Sequence, residues 1–205
     1  ASINKYCYIT CRYLPPFFKH KHRIVYTKQE NVNHINEIDH PSVRECMRYL
    51  DIKQGLEIHH DGDLPAMPGL GSSSAFTVGL LHAISGLDGK LTTKRQLALD
   101  AIHVEQNMIK ENVGSQDQTI AAFGGLNKIE FGGNPSISVT PITLPIDRLN
   151  EFENHLLLFF TDFSREASRI EAKKLKNFKD KSSELSTMAA MVPAGIEILK
   201  SQKNL

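Results

Sequence analysis

A mixed α+β fold is the class this sequence predicts, on three observations. The N-terminal residues alternate with strand period, the middle of the chain carries apolar stripes at helical period, and a strand pair follows across a Gly-rich turn. With 205 residues, 40% of them apolar, the chain can bury one substantial core or two small ones. Its 24 Lys and Arg nearly cancel its 23 Asp and Glu, so no global field gathers nucleic acid or an anionic membrane. An anionic partner must be met locally, which favours a small-molecule site. No apolar run approaches the roughly 18 residues of a membrane span, and the N-terminus lacks a signal-peptide pattern. The expectation is a cytoplasmic protein with small-molecule ligands, no nucleic acid and no membrane.

The first element is a strand in "ASINKYCYITCRY", where Ile3, Lys5, Cys7, Ile9, Cys11 and Tyr13 alternate with Asn4, Tyr6, Tyr8, Thr10 and Arg12. Four strand residues span about 13 Å, so Cys7 and Cys11 cannot bridge each other and read as small core residues, as does Cys46. "HRIVYT" is a second strand. "HPSVRECMRYLDI" is a helix with Pro41 near its start and Val43, Cys46, Met47 and Leu50 on one face. "GLEIHH" is a strand, and "DGDLPAMPGLGSSS" a long loop rich in breakers. Phe76, Leu80, Ala83, Ile84 and Leu87 then form the stripe of a helix. Thr93, with Gln96 three residues on, opens a second helix to Lys110 with Leu97, Ala101, Val104 and Met108 inward. "VGSQDQTIAAFGG" is a loop entering a short helix, and "LNKIEF" pairs with "SISVTPI" across "GGNP". A boundary is expected near Leu149 to Asn154. Beyond it "HLLLFF" reads as a strand buried on both faces, and Ser164 to Lys200 as Lys-rich helix interrupted near Pro193. The chain opens at Ala1 inside a strand pattern and stops at "KSQKNL" directly after a helical stretch, so a longer parent is expected.

Chemistry concentrates on "PGLGSSSAF", residues 68–76. Glycines before a helix N-terminus let a phosphate approach unpaired backbone N–H groups and the positive end of the helix dipole. Serine hydroxyls add donors, and one can ligate Mg²⁺. The stretch is neither a Walker A loop, since no Lys precedes the Ser, nor a dinucleotide fingerprint, since Ser74 occupies the last Gly or Ala position and no acidic residue lies at a strand end about twenty residues on. A flexible linker is the alternative, and the helix that follows immediately disfavours it. Two acids could complete a phosphoryl-transfer site. Glu105 lies at the flank of the Leu97, Ala101, Val104 stripe, as a metal ligand or as a half-exposed surface residue. Asp117 in "GSQDQ" is either a base or the N-cap of "QTIAAF".

"PGLGSSSAF" resembles the central ATP-binding motif of the GHMP small-molecule kinases, and the order of loop, helix, Glu105, "GSQDQ" and "FGG" is similar to that superfamily from Pro68 to Gly125. "GLEIHHDGDLPAMPGLGSSSAFTVGLLHAI", "VEQNMIKENVGSQDQTIAAFGGLNKIEF" and "LLLFFTDFSREAS" resemble its D-glycero-D-manno-heptose 7-phosphate kinase branch. The resemblance implies a two-domain α+β fold, with an N-terminal part like ribosomal protein S5 domain 2 over residues 1–152 and a ferredoxin-like C-terminal part beginning at 153–205, truncated at both ends. It implies ATP and Mg²⁺ as cofactors. Pro68, Gly69, Leu70, Gly71, Ser72, Ser73 and Ser74 would wrap the nucleotide's phosphates, and Ser73 and Glu105 would hold the metal. Asp117 would take the proton of the sugar's anomeric hydroxyl, with Gln116 beside it at the substrate. Arg165 would hold the sugar's own phosphate, or else make a helix-start salt bridge, since Asp162 stands where the branch has Gly. The family's first and last Gly-rich motifs are absent. Another GHMP sugar kinase, of fucose or galactose type, and a non-catalytic nucleotide-binding relative are the alternatives; the motifs leave a homodimer open.

Two other clusters invite a functional reading and receive a structural one. His59 and His60 in "HHDGD", with Asp61 and Asp63, fall on opposite faces of a strand and cannot share an ion readily. "KKLKNFKDK", Lys173 to Lys181, reads as the solvated face of a helix.

Overall fold

The computed structural model describes residues 1–64, 70–132, 137–159 and 181–201. The chain separates into two compact units, Ala1–Gly125 and Leu126–Leu205. The boundary expected near Leu149 to Asn154 falls inside the second unit.

The first unit is a sheet covered on one face by helices. Its strands are β1 (Cys7–Tyr13), β2 (His22–Val25), β3 (Gln29–Val32) and β4 (Leu56–Gly62), in the order β1-β4-β2-β3. β4 is antiparallel to β1, with Ile58 opposite Cys11, and parallel to β2, with Ile58 opposite Ile24. β3 pairs antiparallel with β2 at the edge. Its sequence, QENV, carries no apolar alternation, which is why no strand is expected there. β1 starts at Cys7 rather than Ile3, because Ser2 instead bonds Gly125 through both its backbone N–H (3.0 Å) and its hydroxyl (2.7 Å).

The helices are α1 (Pro41–Tyr49), α2 (Ser72–Leu87), α3 (Lys94–His103) and α4 (Gln116–Phe123). Pro41 opens α1 at its first turn, where a missing N–H costs nothing. The Thr93 hydroxyl accepts the Gln96 N–H at 3.1 Å and caps α3. A π-helical turn, Val104–Ile109, continues α3, and Lys110 ends it in the left-handed region. The sheet's inner residues Ile24, Leu56 and Ile58 meet Val43, Cys46 and Met47 of α1 and Phe76, Leu80 and Ile84 of α2, all within 4% of full burial. α2 lies directly on β1, since a methyl on Gly79 would stand 3.2 Å from Ile9 Cγ1. Truncating one of these side chains, Leu80→Ala for instance, is expected to cost about 2–5 kcal/mol. All three cysteines are free; Cys46 is fully buried, and burial raises the Cys7 and Cys11 thiols to about 11. On the outer face Glu57 sits between its cross-strand neighbours Arg12 and Arg23 and bonds His59 at 2.9 Å.

The second unit holds the expected hairpin, β5 (Asn127–Phe131) with β6 (Ile137–Pro141), then α5 (Ile146–Asn154) and α6 (Ser182–Lys200). Arg148 of α5 donates to the carbonyls of Ile198 (2.9 Å) and Leu199 (3.1 Å) at the C-terminal end of α6, where Ile198 also accepts from the Ser201 N–H (3.2 Å) and hydroxyl (2.9 Å). Two expectations fail here. "HLLLFF" is not a buried strand: among the described residues Leu156–Phe159 form none, and they are 58–80% exposed. A continuous apolar run carries no information about which strand would pair with it. Nor does Pro193 interrupt the last helix, which runs through it; the ring removes one N–H bond, to the residue four before it, and the flanking turns persist. Residues 164–180 of the expected Lys-rich stretch, with "KKLKNFKD", lie outside the described residues.

Candidate active site

Three elements meet at the start of α2. Gly71 is its N-cap, with φ +70°, and has no side chain to cap the helix. The Ala75 N–H to Gly71 carbonyl bond, at 2.8 Å, begins the helical ladder, so the N–H groups ahead of it have no partner within the helix. Ser72, Ser73 and Ser74, expected in the loop, form the first turn of this 16-residue helix. Ser72 and Ser73 are exposed and Ser74 is buried. The positive end of the dipole therefore faces outward through small hydroxyl side chains.

Asp117 reaches this terminus from α4. A methyl built on Gly71 would lie 3.3 Å from Asp117 Cγ and 3.5 Å from Oδ2, so only hydrogen at that position lets the carboxylate lie against the turn. Asp117 is exposed in the first turn of α4, and so is Gln116 before it. The Asp117 carboxylate borders a cleft of about 520 Å³ with Gly71, His82, Lys94 and Ile120. A second cleft of about 270 Å³ adjoins Ser72 and Ser73 and is walled by Phe76 between His40 and His60, each ring centroid 4.8 Å from it. Burial lowers the pKa of both histidines, favouring neutral rings there.

Glu105 reaches the same turn from beneath, and it is fully buried rather than at the flank of its stripe. It lies in the π-helical turn, and such turns recur at functional sites. Its Oε2 accepts the Ser74 hydroxyl at 2.9 Å and the side-chain amide of Gln118, itself fully buried. Among the described residues its Oε1 has no hydrogen-bond donor, and neither has Gln118 Oε1. Its charge is felt nearby: with burial as the larger cause, it raises the pKa of Glu111 and of Cys46. The adjacent Gln106 donates to the Val113 carbonyl (3.0 Å) and the Ser115 hydroxyl (3.3 Å), tethering the loop that leads into Asp117.

The structure thus brings Leu70, Gly71, Ser72, Ser73, Ser74, Glu105, Gln116 and Asp117 around one helix terminus. The serine bonded to Glu105 is Ser74; Ser73 stands on the exposed side of the turn. Pro68, Gly69 and Arg165 lie outside the described residues. Gln106 and Gln118 escape sequence reasoning, since a glutamine in a short helix carries no periodic or charge signal. His59 turns to Glu57 and His60 to Phe76, so the two diverge as expected. Among the described residues no three His, Cys, Asp or Glu side chains gather into a metal-binding group.

Residues 39–125, from just before α1 to the end of the first unit, match the model for the GHMP kinases N terminal domain. The chain contains a GHMP kinase N-terminal domain. It is 32% identical to the D-glycero-alpha-D-manno-heptose 7-phosphate kinase of Campylobacter jejuni subsp. jejuni serotype O:2, over 70% of this chain and 42% of that one. It is 30% identical to a galactokinase of Haemophilus influenzae (strain PittGG), over 49% of this chain and 26% of that one. A crystal structure of a D-glycero-D-manno-heptose 1-phosphate kinase from Bacteriodes thetaiotaomicron superposes with a TM-score of 0.63 and 25% identity, over 73% of this chain and 52% of that one. The mixed α/β architecture above is thus that of a GHMP kinase, and the chain spans about two fifths to one half of the heptose kinases it matches. No helix among the described residues is long and apolar enough to cross a membrane.

Proposed function

We propose that this chain is the phosphate-binding and acid-bearing part of an ATP-dependent sugar-phosphate kinase that acts on an anomeric hydroxyl. D-glycero-D-manno-heptose 7-phosphate is its substrate and the 1,7-bisphosphate its product. The observation that carries the reading is the convergence of Asp117 on Gly71 and of Glu105 on Ser74, two acids at one helix N-terminus. In this reading the backbone N–H groups of the first α2 turn, the loop from Pro68 to Leu70 and the serine hydroxyls hold the nucleotide's terminal phosphates. Asp117 accepts the proton of the attacking hydroxyl, and Gln116 lies beside the sugar. Arg165 meets the sugar's own phosphate. Residues 1–152 form the nucleotide-binding domain, and residues from 153 onward belong to the C-terminal domain.

The donor set fits Mg²⁺, which favours one or two carboxylates with phosphate oxygens, and a buried carboxylate oxygen without a donor is an acceptor in want of a cation. Glu105 would hold the ion, with the Ser73 hydroxyl from the open side of the turn. When bound, Mg²⁺ neutralises charge on the β- and γ-phosphates.

Coupled ADP release by the full-length protein over a panel of sugars and sugar phosphates tests this. Turnover on heptose 7-phosphate that falls by roughly 10²- to 10⁴-fold in Asp117→Asn is expected; full activity in that variant contradicts the role of Asp117, and no turnover on any sugar contradicts the reading. The galactokinase likeness sustains a second reading, a free-sugar kinase, recognised by turnover on unphosphorylated galactose or fucose.

A further inference from the structure

Gln118 is the buried polar side chain that phosphoryl transfer leaves unexplained. It is 0% exposed, its amide nitrogen bonds Glu105 Oε2, and its own Oε1 meets no donor among the described residues. A leucine would fill the same volume without burying an unpaired acceptor, so space filling does not account for an amide there. The hydrogen bond does. Both donors to Glu105, the Ser74 hydroxyl and the Gln118 amide, fall on one oxygen, and the other oxygen is left bare. That asymmetry suits a ligand that binds through a single oxygen, with its second oxygen pinned by the protein.

Position in α4 adds a second consequence. Asp117 and Gln118 are consecutive residues, about 100° apart around the helix. One faces Gly71 and the other grips Glu105. A rotation of α4 therefore displaces both acids together, and the amide that holds Glu105 also fixes its distance from Asp117. Gln106, next to Glu105, clasps the loop that leads into α4 through the Val113 carbonyl and the Ser115 hydroxyl.

We propose that Gln118 is a positioning residue, whose side-chain amide pins Glu105 against the first turn of α2 and sets the separation of the two acids. The proposal rests on the kinase reading above. Its test uses the full-length protein and Gln118→Met, which keeps the volume and loses the donor. The first readout is ADP release at varied Mg²⁺ and varied sugar phosphate. The second, independent of turnover, is Mn²⁺ binding to the nucleotide-loaded protein by electron paramagnetic resonance. Loss of an outer-shell partner weakens metal affinity by about 10- to 100-fold. The variant should need that much more Mg²⁺ for half-maximal rate and bind Mn²⁺ that much more weakly, at an unchanged KM for the sugar phosphate. Wild-type metal dependence in a folded Gln118→Met overturns the proposal and spares the kinase reading. A wild-type protein that neither binds Mn²⁺ with nucleotide nor releases ADP overturns both. Should the variant not fold, the wild-type Gln118 side-chain amide resonances decide: selective broadening by substoichiometric Mn²⁺ with nucleotide supports the proposal, and no broadening overturns it.

Discussion

Replacing Gly71 by alanine perturbs the site at one methyl group, and its two effects separate. The first is backbone strain. Gly71 has φ +70°, a left-handed conformation that costs an L-residue roughly 1–2 kcal/mol. The second is contact: the new methyl would stand 3.3 Å from Asp117 Cγ, 3.4 Å from Cβ and 3.5 Å from Oδ2. Carbon atoms pack best at about 3.5–4.0 Å, so the carboxylate must retreat by a few tenths of an ångström. Gly89, which follows α2 with φ +71° and nothing within 4 Å of an added methyl, supplies the control. Gly71→Ala and Gly89→Ala should therefore lower the unfolding midpoint by a similar few degrees. Only Gly71→Ala should lose turnover, by about tenfold, given that a 1 Å misplacement can cost about 10²-fold. Differential scanning fluorimetry and ADP release on the full-length protein measure both. Equal kcat in the two variants would refute the contact between loop and acid as the basis of activity.

Three further outcomes are expected. Burial holds the His22 pKa down to about 4, and its Nδ1 accepts the Leu56 N–H at 3.3 Å. A depressed histidine contributes stability above the unfolded pKa of 6.5 that is lost as pH falls. Urea titrations should show about 3 kcal/mol disappearing between pH 7 and pH 4, and His22→Gln should flatten that limb. Glu57, held down to about 2 by His59 and by Arg12 and Arg23, should add a second loss from about pH 4.5 to pH 2, absent in Glu57→Gln. Thr93→Ala removes the cap of α3 and should cost about 1 kcal/mol, read as a lower denaturant midpoint at unchanged slope.

Legibility followed the physics of each element. Stripes with an unambiguous period, Phe76 to Leu87 and Leu97 to Met108, appear in the structure as helices on the core, and Thr93 caps where a hydroxyl three residues before a glutamine should. The strand in "CYITCRY" and the hairpin around "GGNP" follow from alternation and turn chemistry. β3 has no such pattern, because this short edge strand sends only Val32 toward the core and its other three residues are polar. The run "HLLLFF" has apolarity without period, a pattern that suits burial, yet its described residues Leu156–Phe159 are exposed. At the site, Gly71 and the serines were legible because their chemistry is local. The full burial of Glu105 was not, since a residue at the flank of a stripe shows its buried partners, Ser74 and Gln118, only once the elements are packed. Gln118 and Gln106 become visible only when the packing places their amides.

The measurement that bears most directly on the account is a crystal structure of the full-length protein with Mg²⁺ and a non-hydrolysable ATP analogue. The terminal phosphate is expected at the first turn of α2, with the metal on Glu105 and the Asp117 carboxylate facing the phosphate from the other side. A nucleotide whose terminal phosphate lies away from Gly71 to Ser74, or a metal that does not touch Glu105, contradicts it.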